Sequence, residues 1–184
     1  GWFKFSLQPY INETTLDKII NIYLKNGEAS DENLVLSPKR IVISLPEQTA
    51  ILYDRKFEIA KFSISSGADG METPTGNYII NKKLLDVISN TPPYYNLPYW
   101  MELRDFSNIY KGYGLHGLAY FPVSYGNYTE GNIYYGRYYT NSRLYEGWDL
   151  LGFPTTQGCV AFSMDDIPLI YDWSNPEQTL VSIE

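Results

Sequence analysis

The chain has 184 residues, with 14 Lys and Arg against 21 Asp and Glu, which gives a formal net charge of −7 at pH 7. This charge disfavours nucleic acid as a partner, because binding to it depends on neutralising phosphates. No apolar run is long enough to span a membrane. The chain has a single Cys and a single His. It therefore cannot form an internal disulfide, and a zinc site with three or four ligands is disfavoured.

Residues 1–39 are predicted to form an N-terminal helical segment and a linker. Asn26-Gly27 is a typical helix stop, and the polar stretch after it contains Ser37-Pro38. Before the stop, apolar side chains recur at helical spacing. These residues are Leu16, Ile19, Ile20, Tyr23 and Leu24.

Residues 40–184 are predicted to form one mainly β domain, because the hydrophobic period changes to two at Arg40. Short β-branched and aromatic runs alternate with turn residues through most of this region. The predicted strands are 40–45, 50–53, 57–66, 78–80, 99–103, the stretch that leads into His116, and 179–183. Ser163 to Asp166 has capping-box form, which predicts a short helix over 163–173.

The segment at about 118–150 contains eight of the 18 tyrosines and is interrupted by glycines. We interpret it as a long ordered excursion and not as a regular element. Loops of this length in a compact domain are usually functional or disordered. The aromatic density argues against disorder.

One constellation could carry chemistry: His116-Gly117 together with Thr156-Gln157-Gly158-Cys159. An imidazole that takes the thiol proton, or pairs with the thiolate, lowers the thiol pKa and makes the sulfur a nucleophile. The glycine before the cysteine allows close backbone approach, so the amides of Gln157 and Gly158 could face an oxyanion. Taken alone, the two residues are more simply explained as a small core cysteine and a satisfied strand histidine.

Several short motifs follow one another in a characteristic order. They are Ile41 to Gln48, Ser65-Ser66-Gly67, Thr73-Pro74-Thr75-Gly76-Asn77-Tyr78, Pro98 to Met101, Leu115-His116-Gly117, and Thr156-x-Gly158-Cys159-Val160. With these motifs, residues 40–184 resemble the L,D-transpeptidase catalytic domain, the YkuD-like family of bacterial cell-wall enzymes. The resemblance implies a β-sandwich or barrel with a few short helices, to which the 118–150 segment would be a Tyr-rich insertion.

The resemblance also implies roles for the site residues. Cys159 would be the acyl-accepting nucleophile and His116 its base, oriented by the main-chain carbonyl of Gly117. Thr156 and Tyr99 would shape the donor pocket, although Tyr99 could equally be a packing residue of the sheet.

The substrates implied are peptidoglycan stem peptides, joined into 3→3 crosslinks in the bacterial cell envelope, outside the cytoplasm. No cofactor or metal would be needed, and carbapenem-type inhibitors would acylate Cys159. The sequence leaves the oligomeric state open.

Three departures from the family pattern bear on activity. Gln157 stands where many members carry His, and Ala161 stands where members usually carry Arg or Asn. His116 and Cys159 are 43 residues apart, an unusually long separation. The excess is the 118–150 segment, which we expect to form a lid or wall with tyrosines that line a channel. The alternative is a self-packed surface feature with its own small core.

Other functions stay open at this stage. Water in place of the acceptor amine would make the enzyme an L,D-carboxypeptidase. A catalytically weakened peptidoglycan-binding module is a second hypothesis, motivated by Ala161 and by occlusion of the cleft by the 118–150 segment. A sortase-like acyltransferase is disfavoured, because Val160-Ala161-Phe162 after the cysteine lacks the signature of that class.

Overall fold

The structure is a computed structural model, and it describes residues 39–184 apart from 91, 93, 107–109, 123–130, 135–136 and 147–149. The predicted N-terminal helix and most of the linker lie outside the described residues. The proposed division of the chain into 1–39 and 40–184 therefore stays a prediction.

The described residues form one continuous sheet that closes on itself. In the order β4-β12-β1-β2-β3-β11-β6-β5, eight strands form a ring, because β5 also pairs with β4. The prediction of a mainly β domain with a barrel or sandwich fold is confirmed. The strands are β1 (Lys39–Ser44), β2 (Thr49–Asp54), β3 (Phe57–Ser65), β4 (Gly76–Ile88), β5 (Asn96–Asp105), β6 (Tyr110–Gly117), β7 (Tyr120–Pro122), β8 (Ile133–Tyr134), β9 (Arg137–Thr140), β10 (Arg143–Tyr145), β11 (Val160–Phe162) and β12 (Thr179–Ile183).

The core lies inside the ring, because alternate residues of each strand point inward. In β1, Ile41 and Ile43 are fully buried while their neighbours are partly exposed. Strand β4 is longer than the predicted 78–80. Only its first half has buried residues, and its second half is largely exposed. The exposed half has no hydrophobic run, so the sequence pattern does not predict it.

The helix α1 (Ile167–Trp173) closes one end of the core. Its first turn is prepared by the predicted capping contact, in which the Asp166 amide donates to Ser163 Oγ at 3.0 Å. The Ser163 hydroxyl in turn donates to Asp166 Oδ2 at 2.6 Å. The helix begins at Ile167 and not at residue 163, because the capping residues precede it. Ile167 and Ile170 bury its inner face.

The 118–150 segment contains regular structure, so the interpretation of it as an irregular excursion is wrong for its described parts. Strands β7, β10, β9 and β8 extend the sheet outward from β5. Strands β9 and β10 are joined by Asn141 and Ser142, both with positive φ. A two-residue turn with this backbone matches the twist of a hairpin.

Candidate active site

His116 and Cys159 are brought together by two parallel neighbouring strands. Strand β6 carries His116, and Cys159 directly precedes β11. The register pairs Ala161 with His116, and residues paired in this way face the same side of a sheet. Cys159 lies two positions before Ala161 and therefore faces that side too. Both His116 and Cys159 line one cavity of about 750 Å³.

The His116 ring is held on two sides. Its Nδ1 donates to the Gly117 carbonyl at 2.6 Å, the acceptor that the family resemblance implies. Nδ1 therefore carries the proton, and the lone pair lies on Nε2. The Trp100 ring stacks on the imidazole with centroids 6.0 Å apart. Burial lowers the pKa of His116 to about 4, although the bond to Gly117 acts in the opposite direction. The ring is thus neutral at pH 7.

The Cys159 side chain is only partly exposed, and this partial burial disfavours the charged form of its sulfur. Burial raises the pKa of Cys159 to about 11, and a main-chain hydrogen bond from Gly114 lowers it less than burial raises it. The sequence suggested a thiol acidified by the imidazole, but in the structure the pKa of Cys159 is raised and that of His116 is lowered. The physical reason is desolvation, which disfavours both charged forms. The pair rests uncharged and can separate charge only when the sulfur attacks.

The loop before Cys159 takes its shape from Thr156 and Gly158. The Thr156 hydroxyl donates to the Cys159 carbonyl at 2.5 Å and accepts from the Gly158 amide at 3.2 Å. Gly158 has φ of +108°, and a Cβ there would lie 2.6 Å from the Tyr113 ring. Only glycine fits both the backbone conformation and the space.

The predicted oxyanion amides have different surroundings. The Gly158 amide is turned toward the Thr156 hydroxyl, so in this resting geometry it does not face open cavity. Gln157 is exposed and lines the cavity. Thr156 also lines the cavity, so it contacts both the cysteine loop and the space where a donor would lie.

Tyr99 does not line the cavity. Its ring packs edge-on against Tyr171 of α1, with centroids 5.5 Å apart. Tyr99 has φ of +55°, a rare conformation for a tyrosine inside a strand. Its neighbour Trp100 lines the cavity instead. Both residues belong to the same predicted motif, and a role for Tyr99 in the donor pocket stays a prediction.

The 118–150 segment contributes to the site in two ways. Tyr120 and Tyr145 are buried in a small cluster with Leu118 and Ala161, so these two tyrosines fill a satellite core. The segment also supplies charged residues to the cavity wall, namely Arg137 and Glu146. The expectation of a wall thus fits the described residues, but the side chains that reach the cavity are not the two buried tyrosines.

Ala161 acquires a structural explanation from this cluster. It is 3% exposed and packs in the same cluster as Tyr120 and Tyr145. A long polar side chain at this position would have to share the space with the two rings. The small side chain of Ala161 therefore leaves room for the two tyrosine rings that the 118–150 segment supplies.

Among the described residues, no three Cys, His, Asp or Glu side chains come close enough together to hold a metal ion. Within the same residues, the structure contains no helix with the length and apolar character needed to cross a bilayer.

A scan against protein-family models gives a match over residues 38–183 to the L,D-transpeptidase catalytic domain, named YkuD. The chain belongs to this family. The match covers every residue of the cavity described above, including both His116 and Cys159. No curated protein matches the sequence.

Solved L,D-transpeptidases share the fold. One from Mycobacterium smegmatis has a TM-score of 0.57 at 14% identity, over 80% of this chain and 59% of that chain. Mycobacterium tuberculosis L,D-transpeptidase 3, in complex with a faropenem-derived adduct, has a TM-score of 0.54 at 16% identity, over 80% and 60%. A cysteine-to-serine variant of the Enterococcus faecium enzyme has a TM-score of 0.54 at 17% identity, over 86% and 54%. The L,D-transpeptidase domain described here thus spans about three-fifths or less of each of these chains.

Proposed function

We propose that the domain is a cysteine-dependent L,D-transpeptidase that forms 3→3 peptidoglycan crosslinks through a Cys159 thioester, outside the cytoplasm in the cell envelope. The observation that carries the proposal is the shared cavity of Cys159 and His116, with the imidazole fixed by Gly117. A nucleophile and an oriented base on adjacent strands are the minimum for acyl transfer.

The neutral resting pair defines the first half of the reaction. As the sulfur attacks the carbonyl carbon at the L-centre of the third stem residue, the thiol proton passes to His116 Nε2. The tetrahedral intermediate then collapses, and its bond to the terminal D-residue breaks. The imidazolium returns the proton to the departing amine. The products of this half are the thioester and a free D-amino acid.

The second half restores the enzyme. An amine from a second stem attacks the thioester carbonyl and gives a proton to Nε2 as it does so. The carbon–sulfur bond breaks, and the imidazolium protonates the sulfur. With water in place of the amine, the same steps release a tripeptide, and the domain is then an L,D-carboxypeptidase.

Two measurements test the proposal. The domain is first incubated with a carbapenem and its intact mass is recorded, with Cys159→Ala as the control. It is then given a tetrapeptide stem and a stem acceptor amine, and the products are separated by mass spectrometry. We expect one adduct that requires Cys159, release of the terminal D-residue, and a crosslinked product. An adduct on Cys159→Ala, or no adduct on the unaltered domain, would contradict the proposal.

The alternative is a catalytically weakened module that binds peptidoglycan. Such a module would retain stem peptides without releasing the D-residue, so the same experiment separates it from the enzyme. Release of the D-residue without crosslinking would instead identify the carboxypeptidase.

A further inference from the structure

Trp100 lies directly opposite His116 on the neighbouring strand. The register of β5 with β6 pairs Met101 with Leu115. The next pair along, Trp100 and His116, therefore faces one side of the sheet together. The two rings are nearly parallel, with 19° between their planes and 6.0 Å between their centroids. Both residues line the cavity that contains Cys159. The imidazole thus lies against the face of an indole.

The indole ring is held firmly in this position. Trp100 is 4% exposed. A Cβ added at Gly114 would lie 2.6 Å from Cη2 and 2.7 Å from Cζ2 of the ring, so these two carbons pack directly on the β6 backbone. The same glycine supplies the main-chain hydrogen bond to Cys159. Trp100 therefore contacts the strand that carries the base at two positions, His116 and Gly114.

The proposed reaction places a positive charge on the His116 ring. As the carbon–sulfur bond forms, the thiol proton passes to Nε2 and the carbonyl electron pair moves onto its oxygen. The ring is then an imidazolium. Burial opposes this charge, because it lowers the pKa of His116 to about 4. The group bonded to Nδ1 is the neutral carbonyl of Gly117, at 2.6 Å. The imidazolium therefore needs a second stabilising group.

The carboxylates around the site already have cationic partners. Among the described residues of the cavity wall, Glu146 is the only carboxylate, and Arg137 Nε donates to it at 2.8 Å. Glu102, two residues after Trp100 on β5, forms an ion pair with Lys82 at 3.0 Å. Two other titratable groups line the wall, and burial raises the pKa of each, so both are neutral: Tyr95 and Cys159. The face of Trp100 is the remaining group here that attracts a cation.

We propose that Trp100 is a positioning residue that stabilises the imidazolium form of His116 by a cation–π interaction during acyl transfer. The face of an aromatic ring is electron-rich and attracts a cation within about 6 Å of its centroid. The neutral imidazole of the resting domain gains less from this face, so the interaction strengthens as the proton moves. Such an interaction raises the rate and not the affinity for a ligand. This inference rests on the proposed L,D-transpeptidase function and adds a residue to its mechanism.

The test changes the electron density of the ring face and keeps its shape nearly constant. Three tryptophan analogues are placed at residue 100 alone in the full chain. One has a fluorine on Cζ3, one has fluorines on Cζ3 and Cε3, and one has a methyl group on Cζ3. These positions avoid Cη2 and Cζ2, which lie against Gly114. Fluorine withdraws electrons from the ring, whereas the methyl group is larger than fluorine and does not. Trp100→Leu removes the ring face.

Trp173 is the matched control position for the same analogues. A cation also lies over its ring, since Lys39 Nζ is 5.2 Å from the centroid. However, Trp173 packs against the core and not on the cavity. Stopped-flow acylation by a carbapenem at a series of concentrations gives the maximum rate and the dissociation constant separately. Alkylation of Cys159 by iodoacetamide in alkali controls for access to the sulfur, because attack by a preformed thiolate forms no imidazolium.

We expect the maximum acylation rate to fall with each fluorine at residue 100. Trp100→Leu should lower it by about threefold to thirtyfold, the range of a cation–π interaction. The methyl analogue should keep the full rate. The dissociation constant of the carbapenem and the alkylation rate should be the same for all three analogues. Fluorines at Trp173 should change none of these quantities.

Other outcomes overturn the inference. Equal acylation rates for all the analogues show that His116 gains nothing from the charge of the ring face, and they leave the proposed function intact. Equal losses with fluorine and with the methyl group assign Trp100 a packing role only. A change confined to the dissociation constant assigns the ring to ligand contact. If Trp100→Leu does not fold, the fluorine series decides alone. An unaltered domain that is not acylated refutes the proposed function and this inference together.

Discussion

The buried imidazole predicts a specific loss of stability in acid. His116 is the only histidine, so no other side chain has an ordinary pKa near 6.5. Burial lowers its pKa from 6.5 to about 4 in the folded domain. Below pH 6.5 the unfolded chain therefore binds a proton that the folded domain does not. Stability that is present above pH 6.5 is lost as the pH falls toward 4.

The magnitude follows from the two pKa values. The difference between 6.5 and about 4 corresponds to about 3 kcal/mol in the free energy of unfolding, at about 1.4 kcal/mol for each pH step of one. Since a domain of this size is typically stable by about 5–15 kcal/mol, the loss would be easy to detect. The replacement His116→Gln removes the titrating group and keeps an amide that can donate to Gly117.

The assay is urea unfolding at pH 7, 6, 5 and 4.5, with the domain and His116→Gln in parallel. Carboxylates titrate in both proteins, so only the difference between the two curves reports on the imidazole. We expect this difference to fall with the pH at the stated slope below 6.5. Curves that decline in parallel would refute a buried neutral His116 and with it the neutral resting pair.

Three further predictions concern the cysteine loop. Because burial raises the pKa of Cys159 to about 11, the rate of alkylation by iodoacetamide should increase about tenfold per pH step from 7 to 10; a plateau in this range would show a thiolate–imidazolium pair. Gly158→Ala should slow carbapenem acylation by at least about tenfold, since its Cβ would meet Tyr113 at 2.6 Å. Gly152→Ala is the control, because Gly152 also has positive φ but has open space around it. Equal effects of the two replacements on acylation would contradict this account. Thr156→Val should lower the free energy of unfolding by about 1 kcal/mol and slow acylation, with recovery in Thr156→Ser; urea unfolding and stopped-flow acylation measure the two effects.

The sequence predicted the body of the fold because its strands have one buried face. Period-two runs identified β1, β2, β3 and β12 to within one or two residues. The ordered motifs identified the family, and they also singled out His116 and Cys159, which the structure places in one cavity. Local patterns are sufficient to predict a strand where its residues alternate regularly between a buried and an exposed face.

The remaining features depend on contacts that no local pattern contains. Tyr99 packs against Tyr171 while its neighbour Trp100 lines the cavity, and the positive φ of Tyr99 is not visible in the local pattern of the strand. The thiol pKa has the opposite direction from the expectation because burial was unknown. Arg137 and Glu146 were overlooked because only the register of β9 with β10 brings them together. The Asn141-Ser142 turn was the one local signal for that hairpin.

The backbone bond between Ala119 and Glu146 has a consequence for protein engineering. It joins the two ends of the excursion at 2.8 Å, so a chain that leaves the barrel at Ala119 returns to the same point at Glu146. To accept this segment, another domain of the fold would need only two backbone positions that can form the same hydrogen bond between the ends of the segment. The host would also need an apolar residue at the position of Leu118 and a small one at that of Ala161, because Tyr120 and Tyr145 pack in one cluster with them. Such exchange would alter one wall of the cavity and leave the thiol and the imidazole on their own strands.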